Sequence, residues 1–186
     1  GSASSTSYLN RHLQNKFVPD DSGFQDGTNT QTNNRNVSTC NSILKKLFEK
    51  VNDTLAMFES SLWSTRIRAV DEASTMIDKA LDYAKCHHSQ SVNIQVCNFM
   101  DALCKAFSNK LPDSHHRVTV KVLTFLSANV VKRSLSGPLM KNMNRILPCL
   151  FDCLAAKRED VKNTANEVLN KLLVNFDKNV LARALC

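Results

Sequence analysis

The sequence predicts an all-α protein built as a solenoid of about three helical hairpins, and three observations carry that prediction. From Ile43 onward apolar residues recur at steps of three, four and one, and no segment sustains the period-two alternation of a strand. Gly137 is the only glycine after Cys40, so the helical region has almost none of the backbone freedom that sheet turns and glycine loops require. The apolar runs also fall in pairs whose starts, at 41, 91 and 138, lie roughly 47 to 50 residues apart.

The first predicted helix, 41–59, rests on Ile43, Leu44, Leu47, Phe48, Val51, Leu55 and Phe58, and Ser60-Ser61 ends it. The second, 63–84, carries Ile67, Val70, Ala73, Met76, Ile77, Ala80, Leu81 and Ala84 and stops at the His87-to-Ser91 cluster. Val92, Val96, Phe99, Met100, Leu103 and Phe107 mark the third, 91–109, which Leu111-Pro112-Asp113-Ser114 closes. The fourth, 115–131, holds Val118, Val122, Leu123, Phe125 and Leu126 and breaks over Ser134 to Pro138. The fifth, 138–155, presents Leu139, Met143, Ile146, Leu147, Leu150, Phe151 and Leu154, and Pro148 inside it predicts a kink or a split. After Lys157-Arg158-Glu159-Asp160 comes the sixth, 160–176, on Val161, Ala165, Val168, Leu169, Leu172, Leu173 and Phe176, with Asp160 expected as its cap. Asn179 to Leu185 reads as the start of one more helix.

Residues 1–40 differ in kind. They are rich in Ser, Thr, Asn, Gln, Asp and Gly without apolar periodicity, which predicts a disordered tail ahead of a helical domain over 41–186. Tyr8, Leu9, Phe17, Val18 and Phe24 offer short docking points within an otherwise plain linker. The tail's charges cancel, so the net +7 of the 186-residue chain falls on 41–186 and implies an acidic partner. No run approaches the roughly 18 apolar residues of a spanning helix and no signal-peptide pattern opens the chain, so no membrane association and a cytoplasmic location are expected. An odd set of seven cysteines without a CxxC pair fits a reducing compartment, most of them as small buried apolar residues.

The last unit, "GPLMKNMNRILPCLFDCLAAKREDVKNTANEVLNKLL" over Gly137 to Leu173, resembles a HEAT repeat, and the hairpin period is close to that class. With "SLWSTRIRAVDEA" over Ser61 to Ala73 it is similar to the TOG domains of microtubule-associated polymerases and the CLASP proteins, although the chain is shorter than a full TOG array. That resemblance implies a non-catalytic module of the microtubule and spindle machinery, binding tubulin or a microtubule-associated partner through its intra-repeat turns. It puts Trp63 and Arg66 in the first turn and Lys157, Arg158 and Lys162 around the third. The second turn offers Asp113, His115, His116 and Arg117, of which Arg117 joins the candidate contact set for its charge. Trp63 can equally be a packing anchor, and the basic turns can be solvated polar caps.

Other chemistries find little footing. Cys149 and Cys153 share a helix face and Cys86-His87-His88 ends another helix, but two ligands do not make a structural zinc site, so neither metal nor cofactor is expected. A lone glycine excludes phosphate-binding glycine loops, and no local Cys or His signature marks a nucleophile, so an enzyme is not expected. Two alternatives stay open: a scaffold that holds a partner peptide or helix in the groove of the array, and a basic helical repeat that binds nucleic acid.

Overall fold

A computed structural model describes residues 45–46, 48–87 and 90–184. The expected tail with its docking points, Cys40, Ile43, Leu44, Leu47, His88, Ser89, Leu185 and Cys186 lie outside the described residues. The protein is all-helical, with eight α-helices packed together and no strand among the described residues. In order these are α1 (Val51–Met57), α2 (Trp63–His87), α3 (Gln90–Lys110), α4 (His116–Val130), α5 (Ser136–Lys141), α6 (Met143–Leu154), α7 (Glu159–Asn175) and α8 (Lys178–Arg183). A short 3-10 turn over Arg133–Leu135 precedes α5. The chain divides between Asn52 and Asp53, and the packing below is that of the second unit.

Within it α4 is central, packing against α2 on one flank and most extensively against α7 on the other. On the other side α3 packs against α2, α5 and α6, and α6 against α7. The apolar stripes cause this. Val118, Val122, Leu123 and Leu126 of α4 are all but fully buried, as are Phe99, Met100, Leu103 and Phe107 of α3 and Ala165, Val168 and Leu172 of α7. Each large apolar side chain so buried contributes about 1.5–3 kcal/mol. Phe107 links the neighbouring segments at the core, meeting Phe58 edge-on at 5.6 Å and Phe125 at 5.0 Å between ring centroids.

The predicted helices and the observed ones agree to within a few residues from α2 onward, and four details differ. The fifth helix is split, but at Asn142 rather than at Pro148, through which α6 runs. Asn142 is buried, and its amide donates to the freed carbonyl of Pro138 and to the Asp101 carboxylate on α3, each at 2.8 Å. The break is thus held from the neighbouring helix. Asp160 is not the residue that precedes the last long helix. Arg158 occupies that place, and Asp160 stands in the first turn, accepting from the Val161 amide at 3.0 Å and setting its charge at the positive helix end. Phe151 and Leu173, expected on buried stripes, are 41% exposed each. The break expected over Ser134 to Pro138 is largely helical, because Leu135 is fully buried and draws the segment onto the core.

Candidate functional site at the turn edge

The turn between α1 and α2, the turn between α3 and α4, and the turn between α6 and α7 come together at the N-terminal ends of α2, α4 and α7. Arg66 fastens the first two. Its guanidinium donates through Nε and Nη2 to both oxygens of Asp113 at 2.8 Å, and through Nη1 to the carbonyls of Ser60 and Ser61 at 2.7 and 3.1 Å. Both side chains are buried, at 9% and 5% exposure. A bidentate pair that also satisfies two turn carbonyls is a structural tie. Arg66 was expected as a partner contact. The structure gives it instead to the fold, because none of its charge is left to face outward.

Asp113 has a second task, since its Oδ1 accepts the His115 amide at 2.8 Å and turns the chain into α4. That places His115 against Trp63. The indole and imidazole planes are 2° from parallel with centroids 4.3 Å apart, and His116 stacks behind His115 at 5.3 Å and 14°. Arg117 brings its guanidinium carbon to 5.5 Å from the Trp63 ring centroid. Trp63 nevertheless remains 38% exposed, next to Leu62 at 63%. The tryptophan is therefore both anchored and presented: one aromatic neighbour fixes its plane while more than a third of it meets solvent.

The third turn supplies cations. Lys157 and Arg158 are exposed. Arg158 pairs with Asp160 at 3.1 Å, and that hydrogen bond, followed by the Val161 amide, holds the Asp160 carboxyl below its ordinary range. Lys162 is tied to Glu159 at 2.7 Å along the outside of α7. Lys157 has no ion pair among the described residues. Partial desolvation pushes the His116 imidazole below its ordinary value, with the positive charges of Arg158, His115 and Arg117 adding to the effect and Asp160 opposing it.

Between those turns lies an open groove of about 310 Å³. Its apolar lining comes from Leu111, Thr119, Cys149, Cys153, Ala156 and Val161, and its lips include His116, Lys157, Arg158 and Asp152. The floor is polar-satisfied: the Thr119 hydroxyl and the Cys153 thiol both donate to the Leu111 carbonyl. Burial pushes the Cys153 thiol up to about 11 and raises that of Cys149, which keeps both protonated and poorly nucleophilic near neutral pH.

Of the sequence-derived candidates, the structure groups Trp63 with Arg117, places Lys157 and Arg158 on the groove beside them, leaves Lys162 on the outer side of α7, and removes Arg66 to the interior. His115, His116 and the groove-lining thiols were not among the candidates. The alignment of second and third turns is the signal that points to them, because equivalent positions of successive hairpins fall on the same edge. No protein-family model matches the chain, and no curated protein and no solved structure matches it.

Proposed function

We propose that the helical unit is a short HEAT-like array acting as a non-catalytic binding module, and that it engages an acidic protein surface through its turn edge. Tubulin or a microtubule-associated protein is the partner that the resemblance to TOG domains implies, with a cytoplasmic, cytoskeletal setting. The row formed by α2, α4 and α7, with α3, α5 and α6 packed beside it, supports the repeat reading. One observation carries the binding reading: Trp63 is held flat by His115 and Arg117 yet left 38% exposed, beside Lys157, which has no ion pair among the described residues, and the exposed Arg158 of a neighbouring turn. Rigid, partly exposed aromatic and arginine side chains are what protein interfaces use as anchors.

The test is co-elution with tubulin heterodimer at low salt. Trp63→Glu, and separately the pair Lys157→Glu with Arg158→Glu, abolish co-elution while circular dichroism stays unchanged. Capture of RNA or DNA with a steep salt dependence, in place of tubulin, would transfer the edge to the nucleic-acid reading.

A further inference from the structure

The groove between the second and third turns is set apart from the rest of the edge by where the charges stand. The first turn of α4 carries His116 and Arg117 and no acid, and Lys157 and Arg158 lead into α7. Cations at a helix N-terminus oppose the helix dipole, so they weaken the fold slightly instead of supporting it. The chain already turns into α4 on Asp113, which accepts the His115 amide, and α7 has its own first-turn acids in Glu159 and Asp160. Arg158 is paired with Asp160, but the groove's own two acids leave the other cations uncancelled, because Asp113 is held by Arg66 and only Asp152 faces out. Arg117 and Lys157 are left without an ion pair among the described residues. Beneath Lys157 and the His116 lip lies an apolar floor with room for a large side chain and no unsatisfied polar group of its own.

We infer that this groove is a peptide subsite that takes one apolar side chain of an acidic partner segment, with the segment's carboxylates met on one lip by Lys157 and by Arg158, which Asp160 already engages, and outside the groove by Arg117, the residue after the opposite lip's His116. The inference rests on the reading of the turn edge as a surface for acidic protein, and it adds the recognition element. Charge brings the segment in, and the buried side chain selects it. An open groove continuous with the edge suits a chain that runs across it, not an enclosed small molecule.

The probe is a fluorescein-labelled, capped peptide with glutamates flanking one leucine, titrated into the full chain and followed by anisotropy. Saturable binding is expected. Replacing the leucine by alanine weakens it about tenfold or more, the loss expected for one large apolar side chain. Ala156→Phe, which fills the groove from its half-buried wall, abolishes binding, and the exposed Lys157→Glu weakens it about tenfold without touching the floor. No saturable binding, equal binding of the alanine peptide, unchanged binding by a folded Ala156→Phe protein, or preferential capture of a labelled single-stranded oligonucleotide would each overturn the inference. The two readings separate cleanly. Tubulin co-elution that persists without peptide binding removes the groove and keeps the edge, whereas peptide binding with no response of co-elution to Trp63→Glu does the reverse.

Discussion

Arg66 and Asp113 show how a contact residue and a structural residue can look alike in one dimension. The basic side chain three positions after a turn tryptophan reads as an outward-facing cation, yet 47 residues of chain separate it from the carboxylate that claims it. Periodicity reports which face of a helix is buried; it says nothing about which turn will lie beside which. Removing one member of a buried, hydrogen-bonded pair leaves the other charge uncompensated. Arg66→Ala and Asp113→Ala are therefore each expected to lower unfolding free energy by about 3–5 kcal/mol in urea denaturation. The double replacement by Arg66→Met and Asp113→Leu is expected to recover only part of that loss, because it removes the uncompensated charge but still deprives the Ser60 and Ser61 carbonyls and the His115 amide of their partners. Trp63, expected in the turn, is the first residue of α2, where it packs flat on His115 and stays 38% exposed.

Helix pairs add a different kind of tie. Across the α4–α7 contact, the hydroxyl of Ser127 donates to Glu167 at 2.6 Å, and Lys171 donates to both at 2.7 and 2.8 Å. The Lys171 hydrogen bond, then that of Ser127, holds the Glu167 carboxyl below its ordinary value of 4.5. A carboxylate whose folded value is depressed stabilises the fold above its unfolded value and loses that contribution as pH falls through the folded one. Between about pH 5 and about pH 3 the urea midpoint of the native protein should therefore fall more steeply than that of Glu167→Gln. A slope unaltered by the substitution would count against this network. The apolar stripe of α7 was legible in sequence, whereas this polar seam was not, because Ser127 sits among the buried positions of α4 and meets Glu167 only once two helices from different hairpins are side by side. Asn142 makes the same point. Pro148 is the visible helix breaker, but a proline's local cost is tolerated when packing holds both sides, while a buried amide with two partners ends α5.

Across the whole helical unit, what the sequence declared best was the alternation of stripes and breaks, since each stripe is a local pattern and each break a local chemistry. The grouping of turns followed from it only through the repeat, and the groove between turns, whose walls come from three helices and two loops, was out of reach. The thiols illustrate the gradation. Cys104 is fully buried and pushed up to about 12 by burial and then by Asp101, Cys153 is buried and pushed to about 11, and Cys86 is exposed. With iodoacetamide at about pH 8, mass spectrometry should find Cys86 alkylated first among these three, and Cys104 and Cys153 only after denaturation. Early labelling of Cys104 would mean that the α3 core opens far more readily than its packing allows.

Trp63 is the only tryptophan in the chain, and its ring lies parallel to an imidazole at 4.3 Å. All of the protein's indole emission therefore originates at the turn edge, against a single stacked neighbour. The molecule carries its own optical gauge: anything that slides between the two rings or parts the first turn from the second changes the brightness of a single fluorophore, and no label need be attached to see it.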